Sequence, residues 1–310
     1  MFSSLKFKVI LFGFIFTFFS SFGQSYFLGL FNSSIREALS ITHGQFGSIY
    51  ASATLCSSLL LIWVGKKIDD VNIFKFAFFV TILLSFACFF FSRVTSVFLL
   101  FIAIFLMRFS GQGMMSHTAS TTISRYFTKT RGRALSISWF GLSSAEFIMP
   151  VLMVYLLTII DWQNLWLIFS ISVLIILPIV SFLLIKNLNL DSREANDENI
   201  KHVEIKQWRR RDVLKDYRFY IISSNMLAMP WIFTGFAVFQ SFVQTSKGWG
   251  PYVIAQSFMS YSIFSVLTLF LSGFLIDKFT SRKLLIYMNI PLLLSVIVLF
   301  LFDTPITAFL

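Results

Sequence analysis

Charge is what this sequence has least of. Only 13% of its 310 residues are Asp, Glu, Lys or Arg, where a soluble domain carries about a quarter. A water-soluble fold has no means of hiding the 57% that are hydrophobic. Those residues come in long blocks, so the solvent they face is lipid. Cysteine is nearly missing: Cys56 and Cys88 both fall inside apolar blocks, which excludes a disulfide framework and a cysteine-based metal site. The three histidines, His43, His117 and His202, stand far apart and supply no cluster for a membrane-embedded metalloenzyme. No glycine-rich phosphate-cradling loop is found, which argues against an ATP-driven pump. The chain is therefore not expected to be an enzyme, and no catalytic residue, metal or cofactor is expected.

What is there is a series of apolar blocks. A bilayer core takes about 20 residues of helix, and nine blocks reach that length: 7–31, 45–64, 73–92, 96–118, 133–158, 164–186, 217–244, 252–275 and 284–302. A tenth begins near Thr304 and reaches Leu310. The first block follows Lys6 and Lys8, but it is longer than a signal-peptide core, lacks a small-x-small cleavage site and is followed by further spans, so it reads as a retained helix. The expectation is an all-α integral membrane protein.

The net charge of +11 would point a soluble protein towards acidic partners. Here no aromatic–basic interleaving suits a nucleic-acid platform, and the basic residues sort by loop. The N-terminus and the loops after spans 2, 4, 6 and 8 hold Lys6, Lys8, Lys66, Lys67, Lys75, Arg125, Lys129, Arg131, Arg133, the basic run from Lys186 to Arg218, and Lys278, Arg282 and Lys283. The alternate loops hold Arg36, Arg93 and Lys247. Positive charge stays in the cytoplasm, so the N-terminus and the even loops are expected there, in an inner (plasma) membrane. Residues 187–216 are polar and rich in both charges. They read as a cytoplasmic linker with a short amphipathic helix, joining an N-terminal six-helix bundle (1–186) to a partial C-terminal bundle (217–310).

Two of the cytoplasmic hairpins match. Gly65-Lys-Lys-Ile-Asp69-Asp70 follows span 2, and Gly273-Phe-Leu-Ile-Asp277-Lys278-Phe-Thr-Ser-Arg282-Lys283 follows span 8. Gly lets helices approach closely, and the Asp four residues on suits a facing helix N-terminus. This pattern resembles the cytoplasmic signature of the major facilitator superfamily, and Arg108-Phe-Ser-Gly111-Gln112-Gly113 in span 4 and Arg131-Gly132-Arg133-Ala134 before span 5 resemble that family's fourth-helix signature and its entry to helix 5. In the second copy Thr280 stands where Gly is usual and Ser281 where a base is usual. In the first, Asp70 replaces the base and Asn72 the second Gly. A fainter internal echo pairs Gln24-Ser-Tyr-Phe27 in span 1 with Gln240-Ser-Phe-Val243 in span 7. The resemblance implies twelve helices in two bundles, so the sequence as it stands would lack helices 11 and 12 and leave the second half of the path incomplete.

The resemblance also implies secondary transport of a small solute by alternating access about a site between the bundles. Arg108 lies centrally in span 4, where a charge costs about 2.5–3.5 kcal/mol. It suits either substrate-anion binding or a structural pair or carbonyl clamp. Glu146 is the acidic residue well inside a span, read as a proton-coupling carboxylate or as a static partner of Arg108. Pro150 frees the carbonyl of residue 146. Gln24, Gln112, Asn225, Gln240 and Gln244 are further candidates for the substrate path, with His117, Gln256 and Tyr261 behind them. For each, interhelical hydrogen bonding is the plainer reading. The expected cargo is a small organic anion moved with protons, by a monomer in the bilayer with no nucleic-acid partner. The alternatives are an efflux carrier for lipophilic or drug-like compounds and a transporter-derived sensor or scaffold.

Overall fold

The computed structural model describes residues 4–127, 130–186, 210–279 and 281–309. Helices occupy all nine expected spans, and no strand occurs among the described residues. Span 1 is made of Ser4–Ser20, Ser25–Leu30 and Asn32–Leu39; span 2 is His43–Val64 and span 3 Ile73–Ser92. Span 4 joins Val97–Met107, Arg108–Met115 and Ser116–Tyr126; spans 5 and 6 are Arg131–Leu156 and Trp162–Ile185. Span 7 joins Tyr217–Val238 and Gln240–Ser246, span 8 is Val253–Phe279, and span 9 joins Ser281–Tyr287 and Ile290–Leu301. A short helix, Arg210–Lys215, lies at the end of the expected linker, and Pro305–Phe309 forms a 3₁₀ turn in the tenth block. Among the described residues, eight of the passages are long and apolar enough to cross a membrane, and Val253–Leu269 of span 8 is a shorter apolar helix.

Polar caps set the starts of several spans. Thr42 and Gln45 form a capping box before span 2, Ser96 accepts from the Leu99 amide before span 4, and Asp216 accepts from the Arg218 amide before span 7. Span 4 continues to Tyr126, well past the expected end at 118. Its last turns carry Thr118 and Thr122, buried and bonded back to the carbonyls of Met114 and Thr118. The end of an apolar run marks the edge of the hydrocarbon, not of the helix.

Apolar residues lie on both faces of these helices, as expected where lipid replaces water. On span 6, Ser170, Val173, Leu177 and Ser181 are buried, while Ile171, Leu174, Ile175, Ile179, Phe182 and Leu183 are exposed. Small polar residues do the joining. Ser85 of span 3 donates to the Ser170 carbonyl at 2.9 Å and Ser170 to the Ser85 carbonyl at 2.9 Å. Thr17 of span 1 donates to the Ser138 carbonyl of span 5 at 2.5 Å. Spans 3 and 6, 1 and 5, and 2 and 4 pack along one another. Span 8 lies along span 5, and span 7 along the second segment of span 1.

Span 1 is broken. Ser20 bonds back to the Thr17 carbonyl at 2.6 Å, the kind of local competition that weakens a helix. Ser21–Gly23 then tightens to a 3₁₀ turn, and Gln24 is extended at φ −79°, ψ 152°. Span 4 is irregular opposite this point: Arg108–Met115 is π-helix. Gly111 and Gly23 meet there, so closely that a Cβ on Gly111 would lie 2.6 Å from the Gly23 nitrogen. An aromatic cluster backs the break from the other side. Trp166 is fully buried, with Phe31, Phe91 and Phe27 at ring-centroid distances of 5.1, 4.6 and 5.6 Å.

Because backbone faces backbone, Gly111→Leu has nowhere to go. It is expected to lower stability by about 1–3 kcal/mol, read as a lower thermal unfolding midpoint in detergent. At Gly132 an added Cβ would meet nothing within 4 Å, so Gly132→Ala should leave that midpoint unchanged.

Candidate functional site

The break leaves backbone carbonyls without helical donors, and Arg108 meets one of them. Its Nη1 donates to the Gly23 carbonyl at 2.9 Å and to Oγ of Ser25 at 3.3 Å. The guanidinium sits 5.4 Å from the centroid of the Tyr50 ring, and the Tyr50 hydroxyl donates to the same Ser25 oxygen at 2.8 Å. Arg108 is 7% exposed, and its Nε has no partner among the described residues. A charge-assisted hydrogen bond and a cation–π contact offset the cost of the buried cation. Of the readings open to Arg108 from the sequence, this geometry is that of a carbonyl clamp.

Glu146 stands apart from it. The side chain is 8% exposed, and among the described residues it forms no ion pair with Arg108 and accepts no hydrogen bond. Its charge lies within electrostatic reach of Tyr26 on span 1 and Tyr261 on span 8. The Tyr26 and Ser21 hydroxyls are buried close to one another. Tyr26 packs on Phe258 at 5.5 Å, Phe258 on Phe233 at 6.3 Å, and Phe233 stacks on Tyr261 at 5.0 Å. This aromatic wall runs into a cavity of about 420 Å³ between spans 7, 8 and 9, lined by Met229, Phe233, Phe258, Tyr261 and Phe264 among others.

The glutamines divide into two groups. Gln24 and Gln112 flank the break, half-buried, with no side-chain hydrogen bond among the described residues. Gln240 joins two spans: its Nε2 donates to the Tyr26 carbonyl of span 1 and the Ala237 carbonyl of span 7, both at 2.9 Å. Asn32 answers from span 1, its Nδ2 donating to the Val238 carbonyl at 2.6 Å and its Oδ1 accepting from Arg36 at 2.7 Å. Gly29 lies directly against the Ala237 carbonyl. This junction is at the end of the molecule opposite the basic loops, and span 7 is interrupted there at Phe239. The internal echo thus falls on the two interruptions, with Gln24 just before a new helical segment and Gln240 opening one.

Other sequence candidates lie elsewhere. Asn225 donates to the Leu285 carbonyl at 2.7 Å and accepts from Asn289 at 2.8 Å, tying span 7 to the interruption in span 9. Gln244 is half-buried and Gln256 exposed, and neither side chain has a hydrogen-bond partner among the described residues. His117 Nε2 lies 2.9 Å from the Gly65 carbonyl. Asp69 forms an ion pair with Arg125, whose Nη1 also donates to the Ile68 carbonyl at 3.1 Å, so the first signature copy fastens the span 2–3 turn to the end of span 4. The side chains of Asp277 and Arg282, and the surroundings of Gly273, lie outside what the structure describes. Lys278 is exposed, its Nζ 5.4 Å from the Phe279 ring.

Reading the sequence missed Asn32, Tyr50 and Tyr26. Asn32 fell one residue beyond the expected end of span 1. Tyr26 stood inside the internal echo, which was the available signal.

The helical passages of the described residues, with interruptions beside buried polar groups, are the architecture of a polytopic transport protein. The family model described as Major Facilitator Superfamily matches residues 13–310. The chain belongs to that superfamily and is a multi-pass membrane protein of the secondary transporter class. A solved structure of similar fold is a bacterial homologue of the human lysosomal transporter Spinster, in an inward-facing and unoccupied conformation. It is 18% identical, with a TM-score of 0.73, and the match covers 100% of this chain and 71% of that one. Among curated proteins, none matches the chain.

Removing the Arg108 guanidinium strands the buried Gly23 carbonyl. Arg108→Ala is expected to cost about 1–3 kcal/mol, visible as a drop in the thermal midpoint in detergent. An unchanged midpoint would mean that the break holds itself.

Proposed function

We propose that the chain is an alternating-access carrier in which the bundles 1–186 and 217–310, joined by the linker 187–216, rock about the region between the break in span 1 and Glu146. The observation that carries this is the reciprocal latch. Asn32 of span 1 reads a carbonyl of span 7, and Gln240 of span 7 reads a carbonyl of span 1, each beside an interruption in its own helix. Unwound segments that bear on a site between repeats suit such motion. With the basic loops in the cytoplasm, the latched end is the outer one, and the conformation is inward-facing, as in the similarly folded Spinster homologue.

The carboxylate available for coupling is Glu146. It is buried and unpaired among the described residues, so its free energy depends on what joins it, a proton or a substrate group. Of the two cargo readings, a small organic anion at Arg108 and a lipophilic compound, the second is better supported. Arg108 already spends its charge on Gly23, Ser25 and Tyr50, while the cavity between spans 7, 8 and 9 has aromatic walls.

The latch predicts a population shift. Each amide hydrogen bond contributes about 1 kcal/mol, or about a fivefold change in equilibrium. Spin labels at the exposed positions Ser33 and Thr245 should show longer distances gaining population in Asn32→Ala and in Gln240→Ala, measured in nanodiscs. A distance distribution identical to that of the parent would remove the latch from the account.

A further inference from the structure

We infer that the ends of spans 3 and 6 on the basic-loop side form a binding site for an anionic phospholipid. Its phosphodiester is held between Lys75 and Lys186, and its acyl chains lie along Phe74, Phe78 and Phe182. The site is independent of the junction between spans 1 and 7 and of any transported solute.

Spans 3 and 6 pack along one another and turn apolar side chains outward. Phe78 and Phe182 are both exposed on that surface. The rings of Phe78, Phe74 and Phe182 form a ladder that crosses from one helix to the other, with centroids 6.4 Å apart at each step. A lysine stands at the rim of each helix: Lys75 directly follows Phe74, and Lys186 comes one turn after Phe182.

A lysine near the end of a span ordinarily extends its ammonium into water. Lys186 does the reverse. It continues the helical backbone of span 6 at φ −52°, ψ −43°, and its Nζ lies 4.1 Å from the centroid of the Phe182 ring, one turn nearer the hydrocarbon. The cause is geometric. Cα–Cβ bonds tilt towards the N-terminus of a helix, and for Lys186 that direction leads back into the membrane. Lys75 is exposed in the first turn of span 3, where the same tilt leads out towards the headgroups. The two cations are thereby offered at two depths of one lipid-facing surface.

Among the described residues neither lysine is in an ion pair. Of the carboxylates in the turn before span 3, Asp69 is held by Arg125, and Asp70 shares the turn with Lys66 and Lys67. Orientation in the membrane asks only for basic residues in the loops. It does not account for a cation folded onto a lipid-facing ring. An anionic phospholipid does: the phosphodiester meets both ammonium groups while its chains cover the rings. A water-soluble anion would leave the aromatic ladder uncovered, and a zwitterionic lipid would bring a further cation to the pair.

The test reads local lipid preference by fluorescence. A bimane label is placed at Leu183→Cys, beside Phe182 and 63% exposed, in a Cys56→Ser background. The full chain is held in phosphatidylcholine nanodiscs with rising fractions of brominated phosphatidylglycerol, or of brominated phosphatidylcholine with the same chains. A basic residue at an anionic membrane surface contributes about fivefold, so a preference for phosphatidylglycerol of about tenfold or more is expected. Lys75→Gln and Lys186→Gln should each lower it about fivefold, and together bring it near parity. Phe182→Leu, which keeps an apolar surface but removes the ring beneath the ammonium, should lower it about threefold. A second label at Ile137→Cys, exposed near the start of span 5, should report a preference that the two lysine substitutions leave unchanged. Inorganic phosphate, added at constant ionic strength, should not displace the lipid. Equal quenching by the two lipids at Leu183, or a preference that survives the double substitution, overturns the inference. A preference that falls equally at Ile137 overturns it in favour of diffuse surface charge, and displacement by phosphate in favour of a soluble anion.

Discussion

The contact between the Arg108 guanidinium and the Gly23 carbonyl makes the rest of the arrangement possible. A helix interrupted inside a bilayer exposes backbone groups that lipid has no means to satisfy. Span 1 is interrupted at Ser21–Gln24, and a cation on a neighbouring helix meets the freed carbonyl. The contact is reciprocal: the carbonyl, Ser25 and the Tyr50 face are what make a buried arginine tolerable. Gly23 and Gly111 let the two backbones come close enough for this, and the π-helical stretch of span 4 places Gly111 where it is needed.

Several features follow from that interruption. The second segment of span 1 is free to take its own direction, held by the aromatic cluster at Trp166 on one side and by span 7 on the other. Its contact with span 7 rests on side-chain amides that bind main-chain carbonyls, bonds that can be exchanged for water at modest cost. With Arg108 committed to the backbone, Glu146 is left as the buried charge whose partner is not supplied by the described part of the chain.

Much of the architecture was legible in the sequence because the bilayer imposes a simple length rule. The apolar blocks marked where the helices lie, eight of them long and apolar enough to cross a membrane among the described residues, and Gly65, Asp69, Gly273, Asp277 and the Arg108 region pointed to the family. What hydropathy did not reveal were the interruptions. Ser20, Ser21 and Gly23 are small and fit an apolar run, so their effect on the backbone depends on what packs opposite them. The role of Arg108 was likewise open, since an arginine beside a broken helix and one facing an anion have the same local sequence. Gln240 was found as a polar candidate, but its bond to the Tyr26 carbonyl depends on a distant helix. Asn32 lay just outside a boundary drawn by hydropathy and was passed over for that reason.

The measurement that bears most directly on the central claim is hydrogen–deuterium exchange across residues 18–30, compared between the parent chain and Arg108→Ala in nanodiscs. If the guanidinium holds the interruption, amides from Ser21 to Tyr26 exchange faster in the variant, while spans 3 and 6 keep their protection. Unchanged exchange at Ser21–Tyr26, in a variant shown to be folded, would contradict the account and return Arg108 to the pool of residues free to bind a solute.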